Sequence, residues 1–101
     1  MEEQARRGSK TVLLVDDEPI IVEVGEQMLA SLGFRVLTAG TGREALEIYR
    51  SRSEEIELVV LDMVMPDMGG GETFDRLKEI DPDVRVLLSS GYTLDGEAEG
   101  I

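Results

Sequence analysis

Histidine and cysteine are both missing from this 101-residue chain, and together the two absences remove most nucleophilic chemistry. Without an imidazole there is no Ser-His-Asp triad, no Cys-His pair and no histidine of its own to carry a phosphoryl group. Without a thiol there is no disulfide and no zinc-thiolate site, which fits a reducing cytoplasm. Basic residues are scarce: 10 Lys and Arg stand against 22 Asp and Glu, a formal charge of −12. Nucleic-acid binding draws most of its affinity from Lys and Arg neutralising phosphates, so this balance argues against DNA or RNA as a direct partner. Apolar runs all fall far short of the roughly 20 residues a membrane helix needs. The charged start Met1-Glu2-Glu3-Gln4-Ala5-Arg6-Arg7 lacks a signal-peptide core, so no membrane contact is expected.

What is present is an ordinary apolar fraction, 42%, arranged in short runs separated by turn formers. Length predicts a single domain. Residues 1–10 are polar and end in Gly8-Ser9-Lys10, as in a linker or N-terminal extension, so organised structure is expected from Thr11. Val12-Leu13-Leu14-Val15 reads as a first strand. Pro19 then suits a first helical turn, and Ile20, Ile21, Val24, Met28 and Leu32 recur at helical spacing up to Gly33, which predicts an amphipathic helix. Phe34 to Thr38 is a second strand. Thr41 and Glu44 form a capping box before a helix carrying Ala45, Leu46 and Tyr49. Ile56 to Asp62 is a third strand, apolar at consecutive positions as in a sheet covered on both faces. Pro66 to Gly71 reads as a turn, including the Gly69-Gly70-Gly71 run. A third helix is marked by Phe74, Leu77 and Ile80 and ended by Asp81-Pro82, and a fourth strand spans Val84 to Ser89. Strand-helix alternation of this kind predicts an α/β fold: right-handed crossovers and a parallel, doubly wound sheet.

Three carboxylates stand out against this frame. Asp62 ends the third strand, and Asp16 and Asp17 follow the first. In open parallel sheets the ligand site lies outside the carboxyl ends of the strands. Acids gathered there at ~4 Å, with an effective dielectric of ~20, repel by about 4 kcal/mol per pair. Either one of them is held protonated or a hard cation lies among them, and Mg²⁺ is the natural occupant because it takes oxygen ligands. Such a site can receive a phosphoryl group, with a carboxylate as nucleophile and an acyl phosphate as product. Ser89 and Ser90, at the tip of the fourth strand, offer hydroxyls to a phosphoryl oxygen, and Gly91 allows close backbone approach.

Val-Asp-Asp-Glu-Pro at 15–19, Leu-Asp-Met-Val-Met-Pro-Asp-Met-Gly-Gly at 61–70 and Leu-Leu-Ser-Ser-Gly-Tyr at 87–92 resemble, in order and spacing, the receiver domain of two-component response regulators. The resemblance implies a flavodoxin-like sheet of strand order 2-1-3-4-5. It implies that Asp62 accepts phosphate from a histidine kinase or phosphotransfer domain. Asp16 and Asp17, with the backbone carbonyl of Val64, match the Mg²⁺ ligands, and Ser90 matches the switch hydroxyl, with Ser89 as the register alternative. Family members continue through a fifth strand, which carries a lysine, and a last helix. Here the only lysines are Lys10 and Lys78, so residues 11–101 are expected to form a receiver truncated before the fifth strand. The fourth strand would then be an open edge, prone to dimerise or exchange between copies. Ala5 to Lys10 and Thr73-Phe74-Asp75-Arg76-Leu77 are similar to receivers at the C-terminal end of hybrid sensor kinases. Two other classes compete with this phosphoacceptor switch. One is a Mg²⁺-dependent phosphohydrolase with an aspartyl nucleophile, which would want a second acid two residues after Asp62, where Val64 stands. The other is a receiver-shaped interaction module that is never phosphorylated.

Overall fold

The computed structural model describes residues 10–62 and 68–89, Ser89 by its backbone alone. All but the last residue of the expected linker therefore lie outside the described residues, as do the positions beyond Ser89. Four strands, β1 (Thr11–Val15), β2 (Arg35–Ala39), β3 (Ile56–Asp62) and β4 (Val86–Ser89), alternate with three helices, α1 (Pro19–Ser31), α2 (Gly42–Arg52) and α3 (Gly70–Ile80). All pairings are parallel and the order is β2-β1-β3-β4, the flavodoxin-like order expected. Right-handed crossovers then settle the layers. The step from β1 to β2 and the steps from β2 to β3 and β3 to β4 run in opposite directions across the sheet. α1 consequently covers one face, while α2 and α3 share the other and pack on each other.

Side chains at alternate strand positions divide between these faces. Leu13, Val15, Val59 and Leu61 point into the main core with Ala45, Leu46 and Tyr49 of α2 and Leu77 of α3. Leu14 points the other way, toward Gly25 of α1. Between Thr11 and Val12 the partner on β3 jumps from Ile56 to Leu58, a bulge that leaves Glu57 exposed.

The local stops behave as their chemistry requires. Gly33 takes φ 99°, and its N–H and that of Phe34 close back onto the carbonyls of Ala30 and Leu29 at 3.0 and 3.1 Å. Thr41 Oγ1 accepts the Glu44 N–H at 3.0 Å, and the Glu44 carboxylate reaches back to the Gly40 N–H, also at 3.0 Å, one residue short of the standard capping-box partner. Three expectations need correction. β2 and β4 begin later than their apolar runs, at Arg35 and Val86, because pairing with the neighbouring strand, rather than hydrophobicity, sets a strand's ends. Gly70 and Gly71 are not turn residues but the first two of α3, with Gly69 as N-cap. The apolar stripe of α1 is not buried either: Ile20, Val24, Met28 and Leu32 are 70, 51, 60 and 71% exposed. Val22, Gly25 and Leu29 face inward instead, and no described element lies beside α1 on its face of the sheet.

Candidate functional site

Register explains how two sequence-distant acids meet. Val15 pairs with Leu61, and the next residue, Asp16, still donates its N–H to Ala39 O at 3.1 Å. Asp16 thus stands level with Asp62 on the adjacent strand, at the interstrand spacing of about 4.8 Å, and on the same side of the pleat. Asp17 adds its carboxylate from the turn. One oxygen from each of Asp16, Asp17 and Asp62 lies within 4.8 Å of the other two. Asp62 is buried, Asp16 half-buried and Asp17 exposed. Asp16 Oδ1 accepts the Glu18 N–H at 3.0 Å, an Asx turn that holds its carboxylate in place and leads into Pro19 of α1.

The donor set fits a hard divalent cation. It offers three carboxylates and no softer ligand, a site that suits Mg²⁺ and would be poor for zinc. At 4.8 Å a pair repels by about 3.5 kcal/mol at an effective dielectric of ~20 and by about 0.9 kcal/mol in bulk water, the latter limit applying to the pairs of the exposed Asp17, and a cation would relieve this repulsion.

The remaining expected site residues divide as follows. Val64, Ser90, Gly91 and Tyr92 lie outside the described residues. Ser89, the alternative to Ser90, pairs with Asp62 and so ends β4 beside it. Both lysines stand away from the carboxylates. Lys10 precedes β1 at the opposite edge, and Lys78 Nζ donates to Pro82 O at 2.9 Å beyond the C-terminal end of α3. The sequence reading missed an acidic cleft of about 280 Å³ beside Asp16 and Asp17, where Val22, Glu23 and Glu26 of α1 face Thr38 of β2. Glu23 and Glu26, one turn apart, were the available signal, but their meeting with Thr38 depends on where α1 packs.

A parallel sheet that gathers carboxylates at the carboxyl ends of its first and third strands defines a flavodoxin-like frame with its ligand site at that end. The family model for the response regulator receiver domain matches residues 12–99. The chain is 40% identical over 94 residues to the sensor kinase CckA of Brucella abortus, a match spanning 93% of this chain and 10% of that protein. It superposes on a chain of the CheX–CheY–BeF3–Mg complex of Borrelia burgdorferi with a TM-score of 0.78 and 34% identity, covering 82% of this chain and 63% of that one. A chain of the complex of the histidine kinase ThkA with the response regulator TrrA gives a TM-score of 0.75 and 35% identity, covering 82% and 70%. The chain belongs to the response regulator receiver domain family, whose members act as phosphoacceptor switches in two-component signalling. Among the described residues no helix is long and apolar enough to cross a membrane.

Proposed function

We propose that Asp62 is the phosphoacceptor of this receiver, and that Asp16, Asp17 and the backbone carbonyl of Val64 hold Mg²⁺ beside it. The carrying observation is the convergence of three carboxylates, the central one buried at the end of β3. Bound there, Mg²⁺ supplies charge neutralisation for the incoming phosphoryl oxygens. A carboxylate oxygen of Asp62 forms the new P–O bond as the P–N bond to a donor imidazole breaks. The departing nitrogen keeps the electron pair and takes a proton from solvent. The donor is a phosphohistidine on a histidine kinase or phosphotransfer protein, a reading supported by the kinase complex of a 35% identical relative. Ser90, the residue that follows Ser89 in the sequence, donates its hydroxyl to the phosphoryl group and couples the new charge to a change of surface.

The domain is a switch rather than a turnover enzyme, because Val64 stands where an aspartyl phosphohydrolase would place its second acid. Residues 11–101 form a receiver without the fifth strand and last helix, 1–10 are a linker or N-terminal extension, and the module works in the cytoplasm. Copies can also pair through β4, which among the described residues is hydrogen-bonded on one side only; analytical sedimentation reads that association directly.

Acetyl phosphate with Mg²⁺ provides the test, followed by intact-mass spectrometry. One phosphoryl adduct per chain is expected, abolished by EDTA and by Asp62→Asn. A folded wild-type chain that takes up no phosphoryl group would refute the assignment, and steady phosphate release from small phosphoesters would favour the hydrolase instead.

A further inference from the structure

We propose that Gly42, Met68 and Thr73 form a positioning contact that locks the start of α2 to the start of α3 and so holds the end of β2 that accepts the Asp16 N–H. The inference rests on the reading that Asp16, Asp17 and Asp62 hold Mg²⁺. Thr73 is fully buried, and a hydroxyl in a core costs free energy unless it is satisfied. Its Oγ1 donates to Gly69 O at 3.0 Å, and its backbone N–H donates to the same carbonyl at 3.0 Å. Both bonds hold the N-cap residue of α3. Gly42, the first residue of α2, lies directly against this pair. A Cβ added there would overlap Thr73 Oγ1 and would lie 3.1 Å from Met68 Cβ and 3.3 Å from Met68 Sδ. Glycine is therefore required at Gly42 for the approach of two helix starts, whatever its backbone angles.

The location gives the contact its consequence. α2 and α3 both begin at the sheet edge that carries the carboxylates. Gly42 is three residues past Ala39, whose carbonyl accepts the Asp16 N–H. Met68 is six residues past Asp62. The Gly42–Met68–Thr73 contact thus clamps the β2–α2 turn to the start of α3. A side chain inserted between them displaces the start of α2 and, through the three residues back to Ala39, the carbonyl that fixes Asp16. None of the three touches substrate or metal, so they act through the carboxylates' surroundings, as outer-shell supports of metal sites do.

The test is Mg²⁺ titration by calorimetry, with thermal melts alongside, on the wild-type chain and on Gly42→Ala, Thr73→Ala, the double variant and Thr73→Val. Gly42→Ala is expected to weaken Mg²⁺ binding on the order of tenfold, the lower end for outer-shell supports. In the Thr73→Ala background the overlapping Oγ1 is gone, so adding Gly42→Ala should change Mg²⁺ affinity by no more than about twofold, the non-additivity that contact predicts. Thr73→Val keeps the volume, loses the bond to Gly69 O and should bind Mg²⁺ several-fold more weakly. It carries the test if Gly42→Ala does not fold. Unchanged Mg²⁺ affinity in folded Gly42→Ala or in Thr73→Val, or full additivity in the double variant, overturns the inference. A wild-type chain that binds no Mg²⁺ would instead bring down the metal assignment, and the positioning role with it.

Discussion

Replacing Asp17 by Asn should stabilise the chain when no divalent cation is present and weaken its response to Mg²⁺. The carboxylate oxygens of Asp16, Asp17 and Asp62 lie within 4.8 Å of one another, a separation worth about 0.9 kcal/mol per like-charged pair in bulk water and about 3.5 kcal/mol at an effective dielectric of 20. Asp17 is the exposed member, so its two pairs belong near the lower bound, and salt at about 0.15 M screens them further. We expect a net gain of about 1–2 kcal/mol in EDTA, read from urea melts by circular dichroism; each kcal/mol corresponds to roughly 4–8 °C in a domain of this size. Adding about 10 mM Mg²⁺ stabilises the wild type by about 1.4 kcal/mol if the dissociation constant is about 1 mM. The variant, one ligand short, gains less, and the gap between the two chains narrows or inverts. The reasoning is refuted if Asp17→Asn is less stable than wild type in EDTA, or if Mg²⁺ stabilises both chains equally.

Tyr49 sets an alkaline limit on stability. Its ring is buried and its O–H donates to Asp81 Oδ2 at 2.8 Å; burial, then the Asp81 hydrogen bond and charge, push the hydroxyl pKa up to about 12. The neutral form is thereby favoured in the folded state, so its stabilisation is complete below pH about 10 and is lost as pH climbs through about 12, roughly 3 kcal/mol in all. Tyr49→Phe should cost about 1–2 kcal/mol at neutral pH, a modest loss because Asp81 keeps the Asp83 N–H at 3.0 Å. It should also flatten the decline between those pH values, and a decline of unchanged depth in the variant would exclude Tyr49 as its source. On β4, which among the described residues is paired on one side only, Leu87 is 56% exposed, so Leu87→Lys should shift stability by no more than about 0.5 kcal/mol while reducing self-association in sedimentation. Association unchanged in Leu87→Lys would place any pairing surface elsewhere than β4.

Local chemistry made the order of elements legible. Apolar runs of strand length, Gly33 as a helix stop and Thr41 as a cap each act within a few residues of themselves; the stop and the cap appear where expected, and the strands lie within a residue or two of their apolar runs. Asp16, Asp17 and Asp62 were readable as strand-tip acids for the same reason. What sequence reasoning could not decide were the relations between segments. The spacing of Ile20, Val24, Met28 and Leu32 defines a face of α1, but burying a face needs a neighbour, and the sheet takes up Val22, Gly25 and Leu29 instead. Gly70 and Gly71 look like turn formers, yet the buried Thr73 bonds the Gly69 carbonyl through both its N–H and its hydroxyl, which starts α3 at Gly70.

The carboxylate site itself divides in the same way. The chain alone determined that acids end two apolar runs; the β1–β3 register decided that Asp16 and Asp62 stand side by side. Side chains on a strand alternate with period two, so a slip of one residue would have sent one of the two acids to the opposite face of the sheet. Register is in turn held by core packing of Leu13, Val15, Val59 and Leu61 against α2 and α3, a property of the assembled fold that no single segment carries.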